Sequence, residues 1–126
     1  MQIRKSAEDY LEAILVLSKQ GGAVRSIDIA TMLGVSKPSV SHAMKLVREN
    51  DYIAMDRYGT VTLLEKGEQI AVHIYERHTV LSKMLEYLGV DPEIAREDAC
   101  KLEHDLSDES FAKIKEHFHK NVGKVE

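Results

Sequence analysis

A chain of 126 residues, 44% hydrophobic and 30% charged, is the size of one ordinary domain and does not have the composition of a disordered segment. Its one cysteine excludes an intrachain disulfide and fits a reducing cytosol, so the expected location is cytoplasmic. The N-terminal stretch is broken by Glu8, Asp9 and Glu12 and is no signal peptide, and no run approaches the roughly 18 apolar residues of a membrane span.

Residues 7–19 space Tyr10, Leu11, Ile14, Leu15 and Leu17 as a helix would, with Ser6 and Asp9 as its N-cap box and Gly21-Gly22 as its stop. A second helix is expected from Ser26 as N-cap, burying Ile27, Ile29, Ala30 and Leu33 and ending at Gly34. A third begins near Ser36-Lys37-Pro38 and buries Val40, Ala43, Met44 and Val47, proline being tolerated in a first helical turn. YIAM, the polar tip DRYGT and VTLL then read as a two-stranded hairpin with Gly59 in its turn. From Glu65 to about Leu88 the pattern is one long helix, with Ile70, Ile74, Val80, Leu81, Met84, Leu85 and Leu88 on its apolar face and Gly89 as its cap. Asp91-Pro92 opens a helix to about His104, and Ser107-Asp108 opens a last one to about Lys120, after which the tail NVGKVE is expected to fray.

The expected fold is mostly α with a small β-wing: a winged helix-turn-helix domain over 1–64, then an all-helical domain over 65–126. The net charge of −4 follows this division unevenly. Residues 1–64 carry eight Lys/Arg against seven Asp/Glu, and residues 65–126 carry nine against fourteen, together with five of the six histidines.

SIDIATMLGVSKPSVSHAMKLVREN has the form of a helix-turn-helix, with small Ala30 where two helices approach and Gly34 in the turn. Residues 34–48 contain Lys37, Lys45 and Arg48 and no acid, which suits double-stranded DNA. The start of the third helix would enter the major groove, presenting Ser36, Lys37, Pro38, Ser39, Ser41 and His42. Lys45, Arg48 and, in the wing, Arg57 and Tyr58 are candidate backbone contacts. The competing reading is a winged helix used for protein contacts, with solvated polar residues and Tyr58 covering the wing.

Cys100, Glu103 and His104 are spaced i, i+3, i+4 on an expected helix, which places a thiolate, a carboxylate and an imidazole on one face. Asp9 and Glu12 are spaced i, i+3 on the first helix, and His78 lies on the long helix, so three helices could meet at one cluster. Each element also has a plain reading: a small packed cysteine, first-turn acids serving the helix dipole, an ordinary histidine. His117 and His119 read as solvated, and His73 is not on the face of His78. No HExxH motif, glycine-rich phosphate loop or second nucleophile–base set points to an enzyme. The rival function is a winged-helix regulator answering to a non-metal effector.

AEDYLEAI, SIDIATMLGVSKPSVSHAMKLV, YGTVTLLEKG, ERH and CKLEHDLSDE occur in order along nearly the whole chain. On these stretches the sequence resembles the diphtheria toxin repressor and manganese transport regulator family of metal-dependent repressors. The resemblance implies metal ligands at Asp9, Glu12, His78, Cys100, Glu103 and His104, with Mn(II) or Fe(II) as effector and Zn(II) or Co(II) as substitutes in vitro. It implies a homodimer on operator DNA controlling metal homeostasis genes, with no membrane and no small organic substrate as partner. At 126 residues the chain resembles the short form without an SH3-like domain. It departs from the manganese regulators, which carry glutamate where Cys100 stands. The iron-sensing members have that cysteine, but they usually carry methionine where Asp9 stands, so the expected site is a hybrid.

Overall fold

The computed structural model describes residues 5–121. Its elements are α1 (Lys5–Lys19), α2 (Ser26–Leu33), α3 (Lys37–Glu49), β1 (Ile53–Met55), β2 (Val61–Leu63), α4 (Glu65–Tyr87), α5 (Pro92–Leu102) and α6 (Asp108–Asn121). The chain divides into two compact units, Met1–His73 and Ile74–Glu126, and α4 runs through the division. No helix among the described residues is long and apolar enough to cross a membrane.

In the first unit, α1 buries Tyr10, Leu11, Ala13, Ile14 and Leu15, while Leu17 is half-buried. Ser6 is already helical and is therefore not the expected cap. Helix α2 is capped by Arg25 rather than Ser26: Arg25 is extended, and its N–H donates to the Asp28 carboxylate at 3.0 Å. Ile29 and Ala30 are buried, but Ile27 is 48% exposed. Residues two apart on a helix point about 200° from each other, so one short face cannot bury both Ile27 and Ile29.

Gly34 takes the left-handed conformation (φ 66°) that closes α2, a position where a Cβ would be strained. Ser36 then caps α3, its hydroxyl accepting from the Ser39 N–H at 3.3 Å. Val40, Met44 and Val47 are buried one helical stripe apart, with Ala43 half-buried beside them. Strands β1 and β2 pair antiparallel, Ile53 with Leu63 and Met55 with Val61, and the Val61 N–H donates to Val24 O at 2.8 Å. At the start of α4, Gly67 lies against Tyr52, where an added Cβ would stand 2.1 Å from the Tyr52 carbonyl oxygen. That close approach requires glycine.

In the second unit, Val80 and Leu81 of α4 pack with Ala99, Phe111 and Phe118, and Met84, Leu106 and Ile114 close around them. Leu88, expected on the apolar face, is 69% exposed, because α4 ends at Tyr87 and the chain turns through Gly89 (φ 103°). Asp91 caps α5 by accepting from the Glu93 and Ile94 N–H groups. Helix α5 stops at Leu102, two residues short of the expected end. Ser107 caps α6, its hydroxyl accepting from the Ser110 N–H at 3.0 Å. Asn121, the first residue of the expected frayed tail, still belongs to α6, and the rest of that tail lies outside the described residues.

Candidate metal centre and nucleic-acid interface

Within the second unit, α4 supplies His78, α5 supplies Cys100, and the residue that ends α5 is Glu103. Their ligand atoms all lie within 4.8 Å of one another. His78 Nδ1 is 3.0 Å from Glu103 Oε2 and 3.7 Å from Cys100 Sγ. Glu103 is 1% exposed. Its second oxygen, Oε1, is 3.4 Å from His104 Nε2, yet the geometry is not that of a hydrogen bond and no other described residue supplies one.

Burying a carboxylate with an unsatisfied oxygen is costly, and a cation removes that cost. Nitrogen, sulfur and oxygen donors at this separation fit a divalent transition metal. The Cys100 sulfur first, and the Glu103 carboxylate second, hold a proton on His78 and raise its pKa from 6.5 to about 10, against the opposing pull of burial.

Two details differ from the helical-face expectation. Because α5 ends at Leu102, His104 is not on a helix with Cys100. Its side chain is 2% exposed and addresses the Glu103 oxygen that His78 does not. Cys100 is exposed, which removes the reading of a small packed core residue. Asp9 and Glu12 sit one turn apart on α1, both half-buried, in the first unit.

Arg77 was not anticipated. It is 4% exposed, and its guanidinium donates to Glu103 O at 3.1 Å, Leu106 O at 2.6 Å and Asp108 Oδ1 at 2.6 Å. It also stacks 5.1 Å above the Phe111 ring centroid. The sequence did carry a signal: Ile74, Arg77 and Leu81 fall at i, i+3, i+7, which puts a charge on the apolar stripe.

Among the other histidines, His42, His73 and His117 are exposed. His119, read as solvated, is instead half-buried, and its Nε2 has no hydrogen-bond partner among the described residues. It lies about 80° round the helix from Phe111, at the edge of the buried stripe.

In the first unit, Ser36, Lys37, Pro38, Ser39, Ser41, His42, Lys45 and Arg48 are all exposed along α3. Ser36 spends its hydroxyl proton on Ser39 Oγ at 2.8 Å, so this pair is partly committed to the cap. Lys45 and Arg48, with Ser26, Ser41, Met44 and Met55, line an open cavity of about 200 Å³. In the wing, Arg57 donates to the Tyr58 hydroxyl at 2.8 Å and stacks 4.9 Å over its ring. Tyr58 is 63% exposed and does not cover the wing. Arg25, also unanticipated, donates to the Tyr58 carbonyl at 2.6 Å.

Residues 2–61 match the family described as iron dependent repressor, N-terminal DNA binding domain, and residues 64–121 match iron dependent repressor, metal binding and dimerisation domain. The chain belongs to the iron-dependent repressor family. The members are DNA-binding, metal-dependent transcriptional regulators and not enzymes, as the resemblance led us to expect.

The transcriptional regulator MntR of Escherichia coli O6:H1 is 39% identical over 108 residues, 86% of this chain and 70% of that protein. An uncharacterised HTH-type regulator of Methanocaldococcus jannaschii is 35% identical over 123 residues, 96% of this chain and 98% of that one. A solved manganese-dependent transcriptional repressor in complex with manganese has a TM-score of 0.81 at 28% identity over 88% of this chain, which spans about half (51%) of that solved chain.

Proposed function

We propose that this chain is a cytoplasmic repressor that binds Mn(II) or Fe(II) and, in that state, grips double-stranded operator DNA as a homodimer to control metal homeostasis genes. The observation that carries the reading is the buried Glu103 carboxylate, with His78 on one oxygen, Cys100 on that same imidazole nitrogen, and an unsatisfied second oxygen toward His104. Residues 1–64 act as the DNA-binding domain and residues 65–126 as the metal-binding and dimerisation domain. Asp9 and Glu12 are proposed as further ligands on the strength of the family resemblance.

The cation supplies the positive charge that offsets the repulsion among the carboxylates that bind it. Without it those carboxylates repel. The ion therefore biases a population of arrangements rather than creating a fold, with a coupling of about 1–3 kcal/mol per site.

Ser39, Ser41 and His42 face the major groove from the start of α3, and Lys37, Lys45, Arg48 and Arg57 neutralise phosphates. Ser36, Pro38 and Tyr58 fill the contact surface around them. Tyr87, Leu88, Ile94 and Leu102 are exposed apolar residues of the second unit and support a surface that meets a second copy.

The oxygen donors of Asp9, Glu12 and Glu103 suit Mn(II), and the Cys100 thiolate favours Fe(II), Zn(II) or Co(II). The test is a DNA titration on the protein's own promoter at fixed salt, metal-free and with Mn(II), Fe(II) or Zn(II). Tightening of at least about tenfold (about 1.4 kcal/mol) with one ion is expected, and the best ion names the effector. Equal binding in chelator would leave the winged helix and remove the metal switch.

A further inference from the structure

We infer that Arg77 is a positioning residue of the metal centre: it clamps the turn between α5 and α6 so that Glu103 presents its carboxylate to His78 and Cys100. The inference rests on the metal-site reading above.

Glu103 is the last residue that α5 holds, its N–H donating to Ala99 O at 2.9 Å, and its own carbonyl opens the turn that runs to α6 at Asp108. All three polar contacts of Arg77 land on this one segment, at Glu103 O, Leu106 O and Asp108 Oδ1. Phe111, at the start of α6, supports the guanidinium from one side.

Arg77 and His78 are neighbours on α4. Arg77 takes the main-chain carbonyl of Glu103 at 3.1 Å, and His78 takes the same residue's carboxylate at 3.0 Å. Consecutive side chains of one helical turn thus fix the backbone and the head of the ligand together. Loss of the first contact frees the carboxylate to leave the second.

Stability alone does not account for an arginine here. A buried guanidinium is costly to desolvate, its Nε has no hydrogen-bond partner among the described residues, and an apolar side chain would suit the stripe beside Ile74 and Leu81. The arginine is explained if the geometry of the turn matters more than the desolvation cost. Residues that hold metal ligands in place typically affect metal affinity by about 10–100-fold.

The test is a Co(II) titration of the full chain, read by the thiolate-to-metal charge-transfer band and the ligand-field bands, alongside helicity and thermal unfolding. Arg77→Met is expected to keep its helicity, bind Co(II) about 10–100-fold more weakly and show altered ligand-field bands. Arg77→Lys, which keeps one donor for the Glu103 carbonyl, should recover part of the affinity. Asp108→Asn, which touches only the outer end of the guanidinium, should fall between Arg77→Lys and wild type.

A folded Arg77→Met chain with wild-type affinity and spectrum overturns the inference, even if its unfolding temperature drops, because that pattern marks a merely structural residue. If Arg77→Met does not fold, unchanged Co(II) binding in both Arg77→Lys and Asp108→Asn overturns it. Failure of the wild-type chain to bind Co(II) or Mn(II) at all overturns the metal-site reading and this inference with it.

Discussion

Metal uptake should depend steeply on pH, because His78 must surrender a proton before its nitrogen can bind a cation. Cys100 and Glu103 hold that proton up to about 10. At pH 7.5 it therefore sits some 2.5 units below its pKa, and displacing it costs on the order of 3 kcal/mol of the intrinsic binding energy. The apparent affinity for Mn(II) should rise at least about tenfold per pH unit, or roughly 30-fold between pH 6.5 and 8. An imidazole with the ordinary value of 6.5 would level off above pH 7.

Calorimetric titration in buffers of different ionisation enthalpy would count the protons released, and at least one per ion is expected from His78. The His78→Gln variant should lose that proton and its share of the slope. The ion-free chain should show the opposite trend. The folded pKa of His78 lies above its unfolded value, so its stabilising effect is fully present below pH 6.5 and is lost as pH rises toward about 10. Wild-type affinity that is level between pH 7 and 8 would refute the assignment of His78 as a ligand facing Cys100 and Glu103.

Other expectations follow from single contacts. Gly67→Ala places a methyl 2.1 Å from the Tyr52 carbonyl oxygen. Overpacking of about 1–3 kcal/mol outweighs the roughly 1 kcal/mol that alanine gains in a helix. A drop in Tm of several degrees should result, and an unchanged or higher Tm would show that the backbone yields freely. Lys45→Ala and Arg48→Ala should each weaken DNA binding uniformly across sequences and lower the slope of log K against log salt by about 1. A slope equal to wild type would place that residue off the phosphates. Cys100→Ser should shift metal preference toward Mn(II) over Co(II) or Zn(II) by about tenfold or more, whereas a constant ratio would mean that Cys100 does not touch the ion.

The helices were legible because each keeps an apolar stripe, and the wing because polar DRYGT interrupts two short apolar runs. Readings failed where a local rule met a competing geometry. Ile27 is apolar but opposite Ile29 on a short helix. Ser26 is a better cap by type than Arg25, yet the extended backbone of Arg25 and the reach of Asp28 decided the cap. No glycine or proline marks the end of α5, so the pattern through Cys100, Glu103 and His104 ran on past the point where the helix stops.

The grouping of His78, Cys100 and Glu103 was visible in residue type and spacing. The use of separate Glu103 oxygens by His78 and His104 was not, because it depends on the turn after Leu102. The partners of Arg77, though not its place on the apolar stripe, were hidden for the same reason: they lie 26 to 31 residues away.

The wing is fastened at two points to the segment that precedes α2: through Val61 N–H to Val24 O, and through Arg25 to Tyr58 O. Residues 24 and 25 are neighbours, and Arg25 is also the cap of α2. A push on the wing tip is therefore passed through two hydrogen bonds into the first helix of the helix-turn-helix. The wing tip and the helix-turn-helix should move as a single stiff tool, with little conformational entropy left to lose when the wing meets DNA. Amide hydrogen exchange in the wing should then be as slow without metal as with it.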